Sequence, residues 1–520
     1  MANMNERAEL HKTIWKIAND LRGSVDGWEF KAYVLGTIFY RYISEDICQY
    51  VADLQAAAGI KDFDYSTLSD DEAEEARFML VQEKGYFIKP SHLFQNVVKD
   101  ADRNEYLNST LFHIFREIED SAVGTPSEND IKGLFSDFVV DNTKLAPTVA
   151  LRNRLLSRVL HAVNDMNLKR NLSDNDNDTF GEAYEFLMKM YASQAGKSGG
   201  EFFTPQEVSE LLAEIAAMGT TDIKRVYDPC CGSGSLLLKF QKIHGRKLKN
   251  LMFYGQEINP TTYNLCRINM FLHHVNYNDF DIQLGDTLLT PKHRGMKFDC
   301  IVSNPPYSLK WDGKENPILY NDERFADAGV LAPQNAADLA FVLHMYNHLQ
   351  QTGACAIVEF PGVLYRGGAE KKIRQYLLKI NAIDTIIQLP PNLFFGVGIA
   401  TCIIVLKKDA RRNGDNHVLF IDATKDCVKD GNKNRLTGDN QKDILTLYEN
   451  REDVQYKSKL VSVDDILAND ANLSVSSYVE QEDTREKIII SEVNEKLRTL
   501  VKEGVDLSNR IEAIIKELGE

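Results

Sequence analysis

Asn304, Pro305, Pro306 and Tyr307 close an apolar run, FDCIVSNPPYSLKW (298–311). Two consecutive prolines cannot continue a helix or a central strand, so the run reads as a buried strand that stops on this tetrapeptide. The residue types suit one kind of chemistry. An amine conjugated to an aromatic ring is a weak nucleophile, because its lone pair is delocalised. Two acceptors on its two N–H bonds draw the nitrogen towards tetrahedral geometry. The Asn304 side-chain oxygen is one acceptor and the Pro305 carbonyl a second. Pro306 confines Pro305 to extended backbone and holds that carbonyl still. Tyr307 offers a flat face to a base drawn out of a helical stack. Asn304 need not ionise, so the chemistry is positioning and electrostatics rather than strong-base catalysis. Alone, the same residues would read as a strand ended by a Pro-Pro turn beside a core tyrosine.

A second stretch, VYDPCCGSGSLLLKF (226–240), passes from a strand into a helix through Asp228, Gly232, Ser233 and Gly234. Glycines there let backbone approach a ligand where a Cβ would clash. No Gly-Lys-Ser/Thr follows, which excludes a P-loop, and the third glycine of the dinucleotide pattern is missing. Asp228 can accept from an ammonium group or an ordered water. Two further acids close the next two apolar runs. Glu257 ends the run in FYGQEIN, 23 positions beyond Gly234, and Asp286 ends the run in LGDTL. An acid at the second position suits the two hydroxyls of a ribose. Asp286 is placed to accept from an exocyclic amine. Three acids closing three successive strands are poorly explained by packing, because isolated carboxylates are costly to bury. The pattern predicts an adenosine-type ligand rather than a plain strand-to-helix turn.

These residues need a frame. KRVYDP, LMFYGQEI, DFDIQLGD, FDCIVSNP, GACAIVEF, AIDTIIQL and TCIIVLKK read as short strands, with helical segments such as PTTYNLCRINMFLHH and ADLAFVLHMYNHL between them. That alternation predicts an α/β fold, with a mostly parallel sheet covered by helices on both faces. Ligands of such sheets bind at the carboxyl ends of strands, where Asp228 and Asn304 fall. Residues 1–150 read as helical, beginning with AELHKTIWKIANDLRG, in which Leu10, Ile14, Ile17 and Leu21 recur at helical spacing. The polar stretch NLSDNDNDTF (171–180) reads as a loop. From Ile490 through Val493, Leu497, Leu500, Gly504, Leu507, Ile511 and Ile514 to Leu518, the spacing alternates between three and four. That is a heptad seam broken only by Gly504. It predicts either a helix packed on its own domain or one that docks against a partner's helix. The organisation expected is a helical domain over 1–150, an α/β domain over 151–480 and a terminal helix over 481–520.

The formal net charge is −16. A chain that grips DNA alone usually has a basic balance. Action on DNA would therefore require a local basic surface, a partner that carries much of the grip, or both. No run of about 18 apolar residues exists, and the charged N-terminus lacks the apolar centre of a signal peptide. Eight cysteines without a C-x-x-C pair or a zinc-like Cys/His spacing read as reduced thiols, most of them buried. A cytoplasmic protein with no membrane partner and no bound metal is expected.

Together, Asp228-Pro-x-x-Gly232-Ser-Gly234 and Asn304-Pro-Pro-Tyr307 resemble the S-adenosylmethionine-dependent amino-methyltransferases, which methylate adenine N6 or related amines. GGEFFTP (199–205) resembles the segment that closes over the methionine end of the cofactor in DNA adenine methyltransferases. Only 17 residues separate Asp286 from Asn304, which leaves no room for a target-recognition domain and resembles the gamma arrangement. FPGVLYRGGAEKKIRQYLL, NLFFGVGIATCIIVL, NLSVSSYV, the helical N-terminal region and the terminal helix extend the likeness over nearly the whole chain. It is similar to the modification subunit, HsdM, of type I restriction–modification systems.

The resemblance implies a Rossmann-like methyltransferase sheet and an adenine-specific DNA methyltransferase. Glu201, Phe202, Phe203, Thr204, Pro205, Asp228, Gly232, Ser233, Gly234, Glu257 and Asp286 would hold S-adenosyl-L-methionine. Asn304, Pro305, Pro306 and Tyr307 would be catalytic, and Phe394 or Phe395 would supply an edge for the target base. Double-stranded DNA and a specificity subunit, with two copies of this chain to one of it, are the implied partners. The family also allows a restriction subunit to join, to which ATP hydrolysis would belong. Cys230-Cys231 fills the variable pair of the glycine loop. Pro229-Cys230 echoes the Pro-Cys of cytosine-5 methyltransferases, but it lies in the cofactor loop, and the echo is taken as accidental.

Other features carry less. Arg366, Lys371, Lys372 and Arg374 suit phosphate contact or, more commonly, a solvated helix face. The long aperiodic stretch 308–335 is expected to border DNA or the extruded base, while Trp311 in it also reads as local packing. His273-His274 has no third ligand nearby. Two other functions fit the core motif. A protein-glutamine N5 methyltransferase faces the same weak-nucleophile problem, but would be shorter. A scaffold that has lost catalysis is argued against by the intact acids and Asn304.

Overall fold

The computed structural model describes residues 12, 14, 27–168, 179–194, 204–220, 222–245, 248, 250–394, 398–408, 415–481 and 490–519. The expected first helix, the 171–180 loop, the residues Glu201, Phe202 and Phe203 expected to close over a cofactor, and Phe395 fall wholly or mostly outside them. The chain forms two units, Met1–Val479 and Glu480–Glu520.

Among the described residues the first unit has eleven strands: β1 (Arg225–Asp228), β2 (Met252–Glu257), β3 (Phe280–Leu284), β4 (Phe298–Ser303), β5 (Leu349–Glu359), β6 (Ile383–Gln388), β7 (Cys402–Lys407), β8 (His417–Asp422), β9 (Val428–Asp430), β10 (Lys433–Arg435) and β11 (Ser458–Ser462). Nine of them form one sheet in the order β11-β8-β6-β7-β5-β4-β1-β2-β3, and β9 pairs with β10 in a separate hairpin. Pairings from β3 across to β5, and between β6 and β8, are parallel. β7 runs antiparallel between β5 and β6, and β11 antiparallel on β8. All seven expected strands exist. β8 and β11 extend the sheet beyond them.

The chain leaves β1 towards β2 and β3 on one side and returns through β4 to β5 on the other. The β1–β4 junction is therefore a topological switch point, where strand ends leave a crevice. Asp228 ends β1 and Asn304 follows β4, so the sequence puts its two motifs at this junction. Alternate strand residues enter two cores. Val226, Cys300, Val302, Ala356 and Val358 face one, and Tyr227, Ile301, Cys355 and Ile357 the other. Strands buried on both faces read as near-continuous apolar runs, as Cys300–Val302 of β4 and Ala354–Val358 of β5 do.

The helical region shares the first of these cores. Phe39 of the helix Gly27–Ala57 packs on Phe271 of the helix Pro260–Leu272 with ring centroids 6.1 Å apart. Arg267, 1% exposed, donates to the carbonyls of Asn129 and Lys132 at 2.8 and 2.9 Å. The helix Val149–Asn164 runs across residue 150. In the second unit, Ile490–Glu517 is a single helix that continues through Gly504. Its seam residues Ile490, Val493, Leu497, Leu500, Leu507, Ile511 and Ile514 are exposed. Among the described residues, no helix is long and apolar enough to cross a membrane.

Candidate active site

Asp228 is fully buried. Its Oδ1 accepts from the Cys230 N–H at 3.0 Å and from the Ser303 hydroxyl at 2.8 Å. The second bond joins the end of β1 to the residue just before Asn304, so the two motifs are physically coupled. Oδ2 is buried with no hydrogen-bond partner among the described residues. Burial, helped by the nearby Glu257 charge, pushes this carboxyl up to about 7 against the bonds from Cys230 and Ser303.

The glycine loop is held from the next strand. Glu257 Oε2 accepts from the Gly232 N–H at 3.0 Å and Oε1 from the Asn259 N–H at 2.8 Å. Glu257 thus has a structural task that spacing did not reveal, although each oxygen keeps a lone pair for a ligand. Burial raises its pKa as well. Gly232 and Gly234 adopt φ of +54° and +79°. A Cβ on Gly234 would stand 2.8 Å from Cys266 Sγ, so both backbone angle and helix packing demand glycine there. Ser233 is buried, and its carbonyl accepts from Asn269 Nδ2 at 2.8 Å. Asp286 Oδ1 accepts from the N–H groups of Leu288 and Leu289 at 2.8 and 3.0 Å. Arg324 fixes that turn by donating to the carbonyls of Thr287 and Leu288 at 2.9 and 2.7 Å.

Asn304 stands half-buried after β4. Its Nδ2 donates to Thr204 Oγ1 at 3.1 Å, and its Oδ1 accepts from the Tyr307 hydroxyl at 2.6 Å. Thr204, expected at the cofactor, also sets which way the Asn304 amide points. Pro205 ends the same segment and precedes the helix Gln206–Ala217. Pro305 is buried and Pro306 partly exposed. Behind Tyr307, Ser308 takes φ of +52° and donates its N–H to Asp338 Oδ1 at 2.9 Å.

Sequence reasoning missed Ser303, Asp338 and Glu359. Glu359 ends β5, fully buried, with neither oxygen partnered among the described residues. Burial, then the neighbouring Asp338, holds it well above the usual carboxylate range. The signal was present, since GACAIVEF closes on an acid as the first three strands do. Phe394 is a correction. It is 2% exposed within the first core, and a base could reach it only by displacing its neighbours. Arg374 departs from both readings of the basic cluster. It is buried and donates to the carbonyls of Ala471 and Val363, while Lys371 pairs with Asp470. Trp311 is local packing, edge-on to Phe325 at 5.7 Å. Five of the cysteines are buried and all eight are free. Among the described residues no His, Cys, Asp and Glu group is placed to hold a metal.

The raised Asp228 carboxyl gives stability a pH dependence of definite sign. From its ordinary 3.8 to about 7 the folded state holds a proton that the unfolded state has lost. Stability therefore falls as pH rises across that window, by on the order of 4 kcal/mol in the limit. The Asp228→Asn variant mimics the protonated form and should flatten the fall of thermal midpoint between pH 5 and 7.5. An unaltered pH profile would remove Asp228 as its source.

The N-6 DNA Methylase family matches residues 175–487, which spans the whole sheet and both motifs. The chain belongs to that family. The HsdM N-terminal domain family matches residues 10–163 of this N-6 DNA methylase. The MpnII methylase subunit, a type I restriction enzyme subunit of Mycoplasma pneumoniae, is 45% identical over 99% of this chain and 97% of its own length. The crystal structure of a type I restriction-modification methyltransferase subunit from Streptococcus thermophilus superposes with a TM-score of 0.81 at 34% identity. It covers 91% of this chain and 100% of that one. A modification subunit of Vibrio vulnificus, at 18% identity and a TM-score of 0.59 over 89% of this chain and 93% of its own, shares the fold.

Proposed function

We propose that this N-6 DNA methylase is the modification subunit of a type I restriction–modification complex, methylating adenine N6 in double-stranded DNA at sites chosen by a separate specificity subunit. The observation that carries the reading is the Asp228–Ser303 bond. It ties the glycine loop to the strand that presents Asn304.

The residues fit S-adenosyl-L-methionine. Asp228 Oδ2 is a buried acceptor awaiting a donor, and two glycines at positive φ open the loop. Asp228, Gly232, Ser233 and Gly234 would hold its methionine end with Glu201, Phe202, Phe203, Thr204 and Pro205. Glu257 would take its ribose and Asp286 its amine. The bound cofactor supplies an electrophilic methyl carbon on a sulfonium. Asn304 Oδ1 and the Pro305 carbonyl accept from the two N–H bonds of the target amine and localise its lone pair. Asn304 stays neutral throughout. Tyr307 gives the base a stacking face, and Thr204 keeps the Asn304 amide from rotating.

Residues 1–150 form the helical domain, 151–480 the methyltransferase domain and 481–520 the docking helix of this reading. Its test is co-expression with the specificity subunit followed by mapping of N6-methyladenine in host DNA. Methyl transfer to protein glutamine, or none to DNA, would overturn it. Deleting 485–520 should weaken assembly with the specificity subunit by roughly 100-fold, about 3 kcal/mol, with cofactor binding intact. Unchanged co-purification would remove the docking role of the helix.

A further inference from the structure

Between Tyr307 and the helix Asp338–His348 the chain makes a long excursion and returns. Its two limbs pair. The Trp311 N–H donates to the Gln334 carbonyl and the Ala337 N–H to the Leu309 carbonyl, both at 2.9 Å. Together with Ala369, near the start of the helix Gly368–Lys379, they enclose an open groove of about 680 Å³. Lys310, Lys314, Tyr320, Gln334 and Asn335 line it, against a wall made by Trp311. That wall is rigid. The indole is buried, and its N–H donates to the Pro333 carbonyl at 3.0 Å.

Charge decides what such a groove accepts. The chain is strongly acidic, yet among the described residues no carboxylate lines this groove. Asp312 and Glu315 neighbour the two lysines in sequence but are not among its lining residues. Lys310, Lys314 and Tyr320 are exposed. Among the described residues neither ammonium has an ion pair or hydrogen bond. Two free ammoniums, a phenol and two primary amides are the donor types that meet phosphate and sugar oxygens. Lys310 is three residues beyond Tyr307, so their Cα atoms lie within about 11 Å.

We propose that this groove takes the DNA sugar–phosphate backbone beside the extruded adenine, with Lys310 and Lys314 each neutralising one phosphate. The inference rests on the DNA-methylating reading above and supplies the local basic surface that an acidic chain needs.

The test uses the Lys310→Gln/Lys314→Gln double variant in the full complex with its specificity subunit. Two lost phosphate contacts should reduce the slope of log affinity against log salt by about 1.8 and weaken DNA binding roughly 10–100-fold near 0.1 M salt. KM for DNA should rise, kcat at saturating DNA should hold, and the Lys→Arg pair should restore the slope. An unchanged slope and KM, with the wild-type complex methylating DNA normally, would overturn the groove alone. So would a variant that fails to assemble, since the surface would then dock protein rather than nucleic acid. A wild-type complex that binds no DNA would overturn the underlying reading and the groove with it.

Discussion

Asn304→Ala should lower methyl transfer by about 10³-fold, the scale on which removing one preorganised polar group acts on a developing charge. Cofactor affinity should hold, because among the described residues the Asn304 side chain bonds only to Thr204 and Tyr307, and the glycine loop is anchored through Glu257 and Ser303. The measurement is single-turnover transfer of labelled methyl to DNA, beside calorimetry of cofactor binding. The structure adds a control. Tyr307 already donates to Asn304 Oδ1, so one lone pair of that oxygen is occupied before any substrate arrives. Tyr307→Phe keeps the stacking face and frees the lone pair. A single neutral hydrogen bond is worth about 1 kcal/mol, so that variant should stay within about tenfold of the wild type. Equal turnover in Asn304→Ala would end its assigned role.

Gly234→Ala is expected to damage the glycine loop through both backbone angle and packing. The backbone sits at φ +79°, and the new Cβ would meet Cys266 Sγ at 2.8 Å. The left-handed angle costs about 1–2 kcal/mol and overpacking about 1–3 kcal/mol. The helix Pro260–Leu272 is buried along its length and cannot retreat, so the loop must move. Cofactor affinity should then fall by about 30-fold or more, as calorimetry would record. Adding Cys266→Ala relieves the contact and leaves the backbone angle, so the double variant should recover part of the loss. Full wild-type affinity in Gly234→Ala would show that the loop does not bear on the ligand.

The chemistry was legible because it is written locally. Two prolines after an apolar run stop a strand wherever it lies, and the glycines of residues 232–234 turn the chain by their own backbone freedom. Seven strands were readable for the same reason. Their direction was not. A strand covered on both faces reads as a near-continuous apolar run, and the run Ile403–Leu406 of β7, which runs against its neighbours, looks no different from Cys300–Val302 of β4, which runs with them. β8 and β11 extend the sheet through pairing with β6 and with each other, a relation that no stretch of either displays.

The site divides in the same way. The sequence alone determined which residues could accept from an amine, which acids close the first three strands, and that one chain carries both a glycine loop and an Asn-Pro-Pro-Tyr turn. Only the tertiary structure decided that Thr204 holds the amide of Asn304 across 100 positions of sequence, that Ser303 reaches Asp228, and that Phe394 belongs to the core. Residue type and spacing set what a side chain can do. Its actual partner is chosen by chain segments that meet only when hydrophobic burial brings them together, and that meeting leaves no periodic trace in either segment.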